Sequence, residues 1–235
     1  MAAPDERRIL DLPGGRAVRL YLRRSPRARR MTLRLAPAGE AVELVLPRGI
    51  SAAQGLRFAE DNRSWLATRL EDLPPRVPFT DGICLPVLGV ERRIRHRPDQ
   101  LRLIEADDSE IRVGGAVEKM PARIETWLRE TAREAFRDRT AAMAAELGRP
   151  APAVTIRDTR SRWGSCSPRG GLAFSWRLVL APVFVTDYVA AHETAHLVEM
   201  NHGPAFWRVV DRLNGRAKEA RRWLRSEGAA LHRYG

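Results

Sequence analysis

The chain has 235 residues, 44% of them hydrophobic and 30% charged, enough for one or two domains with real cores, which excludes collagen-like, disordered and disulfide-stapled miniature architectures. Its formal charge of +12 comes almost wholly from arginine, only Lys119 and Lys218 being lysines, and so reads as a compositional bias on solvated faces rather than a dedicated surface for nucleic acid or polyphosphate. No apolar run approaches the ~18 residues of a membrane span, and two cysteines (Cys84 and Cys166) behind an N-terminus without a leader pattern predict a soluble protein of a reducing, cytoplasmic compartment.

Residues 17 to 46 alternate polar and apolar (Val18, Leu20, Leu22; Met31, Leu33, Leu35; Val42, Leu44, Leu46), with breaks at Ser25-Pro26 and Pro37 to Gly39, the pattern of a β meander with one buried face. Ser51 with Gln54 three residues on makes a capping box, and the helical spacing of Leu56, Ala59, Leu66 and Leu70 predicts one helix over 52–72, stopped by Pro74-Pro75. Short strands follow at 83–88, 90–96, 101–104 and 110–113. Residues 1–115 thus read as a β-rich domain with one helix.

Pro121 opens a long helix that Gly148 ends. Residues 154–156 and 172–176 read as two strands joined by a Gly/Ser/Arg loop. The segment from Pro182 to Glu199 is apolar nearly all round and predicts a buried helix, followed by a short helix from Pro204 and a charged one over 216–226. Residues 116–235 form the second predicted domain of an α+β protein, and no internal repeat is visible.

His192-Glu193-Thr194-Ala195-His196 is the pattern H-E-x-x-H. On a helix the two histidines lie one turn apart on one face and can reach one tetrahedral metal, while Glu193, about 100° round, can take the proton of a water that zinc has acidified. Three of the chain's 5 histidines (His192, His196 and His202) fall within eleven consecutive residues, and a catalytic zinc takes three protein ligands and keeps one open position. His202 is the natural third, since a turn at Asn201 and Gly203 can bring it back; Glu199, on the same helical face as His196, competes. The spacing to His202 equals that of metzincins, but no methionine follows Met200 to form their Met-turn. His96 and His232 read as surface residues.

The stretch from Thr155 to Trp207, with T-R-S-R-W-G-S-C-S at 159–167, S-W-R-L at 175–178 and A-A-H-E-T-A-H-L-V-E-M-N-H-G-P-A-F-W, resembles the YgjP-like metallohydrolase family, a zincin-like group akin to the SprT and WLM metalloproteases. R-R-S-P-R-A-R-R-M-T-L-R-L at 23–35 extends the likeness. The resemblance implies a zincin-like core, with the H-E-x-x-H helix beside a small sheet, and one Zn²⁺ per chain on His192, His196 and His202 with Glu193 as general base. Thr194 departs from the bulkier apolar residue usual there.

In zincin-like folds a strand beside the site pairs with extended substrate, which makes the loop of Arg160, Arg162, Trp163 and Ser165 the candidate substrate-binding segment. Arginine forks suit carboxylate or phosphate oxygens, Trp163 an apolar wall, and Ser165 a hydrogen bond; salt bridges and core packing are the plainer roles. A metallopeptidase acting on a peptide or protein is the leading expectation. The alternatives are a metal-dependent nucleoside triphosphate pyrophosphatase, with the arginine-rich loop 157–169 on the phosphates, and a DNA-associated adaptor, against which an intact Glu193 speaks. A single three-histidine site favours zinc and acyl chemistry, because phosphoryl transfer usually employs Mg²⁺ on carboxylates.

Overall fold

A computed structural model describes residues 6–35, 41–72, 75–159 and 162–235. They form a mixed α+β protein that divides into two compact units, Met1–Arg76 and Val77–Gly235.

The first unit holds β1 (Glu6–Asp11), β2 (Ala17–Arg24), β3 (Thr32–Leu35) and β4 (Ala41–Leu46) in one sheet of order β1-β2-β4-β3. It is not the expected meander: β2 and β4 pair in parallel at the centre, with β1 and β3 antiparallel on the edges. Alternation says which residues face the core and nothing about the order of the strands. β1 escapes the pattern because its outward residue is apolar, Ile9 being 73% exposed. Val18, Leu20, Leu22, Val42, Leu44 and Leu46 face two helices, α1 (Ala52–Asp61) and α2 (Arg63–Glu71). The Ser51–Gln54 capping box forms. The single predicted helix breaks at Asn62, whose φ of −100° and ψ of 13° leave the helical range and whose side-chain amide donates to the Phe58 carbonyl at 2.7 Å.

In the second unit β5 (Cys84–Val87), β6 (Val90–Arg97), β7 (Ile104–Ala106) and β8 (Glu110–Gly114) repeat the first sheet's topology, order β5-β6-β8-β7 with a parallel central pair. The two sheets share a strand plan without visible sequence repetition, since a period of two tolerates any residues of the right polarity. The chain divides at Arg76 rather than at residue 115. Leu85, Val87, Ile94, Ile111 and Val113 join one core with Met120, Ile124 and Leu128 of α3 (Met120–Glu146), so these strands cannot be parted from the helix that covers them.

Gly148, at φ +65°, ends α3 in the left-handed conformation that a side chain would strain. A three-stranded sheet follows: β9 (Val154–Arg157), β10 (Gly164–Cys166) and β11 (Leu172–Ser175), order β10-β11-β9. The segment read as loop thus carries a strand, β10, whose small residues give no alternation signal. Next come α4 (Val183–Ala195), α5 (Pro204–Leu213) and α6 (Ala217–Ser226). α4 stops four residues short of the predicted end, with His196 at its C-cap. Phe136 of α3 stacks on Phe174 of β11 at 4.0 Å and 3°, beside the fully buried Trp176. The C-terminal residues pair with Val77, and His232, expected at the surface, is buried. Among the described residues no helix is long and apolar enough to cross a membrane.

Candidate metal centre

α4 is buried on nearly every side, with Val185, Thr186, Tyr188, Val189, Ala190, Ala191, Thr194 and Ala195 all shielded from solvent. The backbone of its last turn therefore cannot drift, and the side chains it carries are aimed by the core. His192 and Glu193 leave from that turn, and His196 from the cap.

The chain then reverses. Leu197, Val198 and Glu199 donate back to the carbonyls of Thr194 and Ala195, and Gly203 donates to Asn201 at 2.7 Å. This reversal returns His202 to the helix end, where its Nε2 lies 3.1 Å from Nε2 of His192. One nitrogen from each of His192, His196 and His202 falls within 4.8 Å of the others. Two imidazoles on a tetrahedral zinc at ~2.05 Å hold their nitrogens about 3.3 Å apart. Three imidazoles drawn this close, with no carboxylate among them, are a donor set that fits a metal ion.

Their surroundings orient the rings. Nδ1 of His196 lies 3.0 Å from the Glu199 carbonyl, a contact in which the ring nitrogen donates and so leaves Nε2 with a free lone pair. Glu199 thus meets the cluster through its backbone, and its carboxylate is not among the converging groups. The Tyr188 hydroxyl, one turn before His192, lies 3.4 Å from that ring's Nδ1. Beneath all three imidazoles sits Phe206 of α5, fully buried, with ring centroids 4.9, 4.6 and 4.7 Å from His192, His196 and His202.

Burial, then the charges of His196, His202 and Arg221, push His192 down to about 4, so its ring stays neutral and available to a metal at neutral pH. Burial raises the Glu193 carboxyl to about 7, with Arg162 pulling the other way. Its side chain is only 6% exposed. It rests against β10: a Cβ placed on Gly164 would stand 2.5 Å from Glu193 Oε1 and 2.6 Å from its Cγ. β10 pairs with β11 on one side and has no strand partner on the other among the described residues. An open strand edge therefore runs beside a buried carboxylate and three convergent imidazoles.

The predicted substrate residues fare unequally. Arg160 lies outside the described residues. Arg162 is exposed and within electrostatic reach of Glu193, and Ser165 sits half-buried in β10 opposite Ala173. Trp163 is half-buried in packing: it stacks on His232 at 5.2 Å and touches the position of Gly228. Among the described residues the arginines of 157–169 do not converge, for Arg157 ends β9, two strands from the β10 edge, and Arg169 is exposed in the turn after β10. The sequence reading passed over Gly164, Tyr188 and Phe206. Tyr188 could have been found four residues before His192; Phe206 had no signal beyond lying in an apolar helix.

No curated protein matches this chain. The crystal structure of the metallopeptidase zymogen of Pyrococcus abyssi abylysin is similar at 24% identity over 39% of this chain and 95% of its own, with a TM-score of 0.35. Residues 29–227 match the YgjP-like, metallopeptidase domain family, a span that takes in β10, the H-E-x-x-H helix and His202. With that span covering most of its length, the chain belongs to the YgjP-like metallopeptidase family and is a hydrolase of the metallopeptidase type.

Proposed function

We propose that this protein is a zinc-dependent peptidase with a zincin-like core, in which His192, His196 and His202 hold one Zn²⁺ and Glu193 is the general base. The observation that carries the reading is the convergence of three imidazoles beside a buried carboxylate and an open strand edge. Bound there, zinc supplies a Lewis acid that polarises a carbonyl and acidifies water.

The protein's own groups do the rest. The free edge of β10 accepts an extended peptide by main-chain hydrogen bonds, which bind substrate without demanding a sequence. Glu193 accepts the proton of the attacking water and later delivers it to the leaving amine, for which a carboxyl raised by burial is well matched to neutral pH. The Glu199 carbonyl and the Tyr188 hydroxyl keep the His196 and His192 rings in the tautomer and orientation that present Nε2. Arg162, exposed beside Glu193, contacts the substrate, and Ser165 lines the strand edge; Trp163 supports the strand from behind. The free thiols Cys84 and Cys166 suit a reducing, cytoplasmic setting.

The test is a cleavage assay of purified, zinc-loaded protein on a peptide library, with a nucleotide panel in parallel. Zinc-dependent peptide cleavage that Glu193→Gln abolishes is the expected result. Nucleotide hydrolysis dependent on zinc and Glu193, without peptide cleavage, would overturn it.

A further inference from the structure

The first unit carries its charge unevenly. Its helical segment, residues 52–72, holds three arginines and four acids, close to neutrality. The face of its sheet turned away from those helices, with the loop after β2, holds seven arginines and, among the described residues, two acids, Glu43 and, at the end of β1, Asp11. A compositional bias toward arginine would load both sides alike.

Strand register arranges this face. Arg7, Tyr21, Glu43 and Arg34 form one row across all four strands, and Ile9 and Arg19 stand side by side in the next. Glu43 is engaged by Arg23 at 2.6 Å, and Arg7 lies over the Tyr21 ring at 5.8 Å. Arg19 and Arg34 are exposed, and beyond the end of β2 so are Arg27, Arg29 and Arg30, none of which has an ion-pair partner among the described residues.

We infer that this sheet face and the loop after β2 form a docking surface for single-stranded nucleic acid, independent of the metal centre. Unpaired guanidinium groups engage phosphate oxygens bidentately and gain from counterion release. A pleated surface with an aromatic ring in its middle row gives an unstacked base a face to lie on. Reading a duplex needs an element that enters a groove, and a sheet face does not. An anionic membrane would ask for a band of apolar residues to insert, whereas among the described residues Ile9 is the one large exposed apolar side chain on this face.

The test is fluorescence anisotropy of the full chain with labelled oligothymidylate and oligouridylate, against phosphatidylserine vesicles as a second polyanion. Binding to either oligonucleotide, weakening steeply with salt, is expected. Replacing Arg27, Arg29 and Arg30 together by Ser should lower affinity at least about tenfold and reduce the log–log salt slope by about 2, at ~0.7 per phosphate contact. Tyr21→Ala should lower affinity about fivefold or more with the slope unchanged. Replacing Arg57, Arg63 and Arg69 by Ser, an equal charge change on the helical side, should alter affinity less than about twofold, since these residues make no phosphate contact. Equal losses from the two triple variants, vesicle binding without oligonucleotide binding, or no binding at low salt would each overturn the inference.

Discussion

Gly164 and Glu193 are in van der Waals contact, and the contact exists only because residue 164 has no side chain: a Cβ there would fall 2.5 Å from the carboxylate oxygen and 2.6 Å from Cγ. The glycine lets the strand edge that would take substrate run directly beside the carboxylate that would take the proton. It ties the 159–167 motif to the H-E-x-x-H helix, two blocks separated by twenty-four residues of chain.

Gly164→Ala should therefore push either β10 or the Glu193 carboxylate out of place. Peptidase kcat/KM is expected to fall at least about tenfold, because displacements near 1 Å at reacting groups cost that much or more, with zinc content unchanged. Steady-state kinetics beside metal analysis checks it; a fully active alanine variant would show that the carboxylate position is not critical.

Glu193→Gln should retain zinc and lose hydrolysis by several orders of magnitude, since the amide is nearly isosteric and cannot accept a proton. Loss of zinc along with activity would instead make Glu193 a structural element of the site.

His202→Ala should lose zinc at concentrations where the wild type is saturated. Glu199→Ala should keep it, because Glu199 meets His196 through its backbone carbonyl, which the substitution preserves. Competition with a chromogenic chelator measures both. Zinc retained in the first variant and lost in the second would reverse the ligand assignment.

Burial raises the Glu193 carboxyl from 4.5 to about 7, and the sign of the resulting pH effect is fixed. In the metal-free protein its contribution to stability is fully present below pH ~4.5, where both folded and unfolded chains hold the proton, and is lost as pH rises through ~7, on the order of 3 kcal/mol in all. Denaturant unfolding of metal-free wild type and Glu193→Gln should show the wild type losing ground to the variant between those two pH values. A difference independent of pH would mean that the carboxyl is not held in an apolar pocket.

Phe206→Leu should keep the fold and weaken zinc binding about tenfold or more, as does removal of groups that orient metal ligands, because Phe206 is the common floor of all three imidazoles. A chelator titration with circular dichroism as control separates this from unfolding.

Much of the candidate metal centre was legible in the sequence because its spacing is a helical property. Residues four apart on a helix share a face wherever that helix lies, so His192 and His196 needed no tertiary information. The capping box at Ser51 and the left-handed stop at Gly148 were legible for the same reason, being local backbone chemistry. His202 and Glu199 are both within reach of His196 along the sequence, and only the turn over 196–203 shows that the His202 imidazole joins the cluster while Glu199 meets it through its carbonyl, the observation on which the proposed ligand set rests. The parallel pairing of β2 with β4, the strand at 164–166 and the core shared by β5 to β8 with α3 were closed to the sequence. Each depends on which distant segment supplies the partner or the cover, and a polar–apolar pattern specifies that a face is buried without naming what buries it.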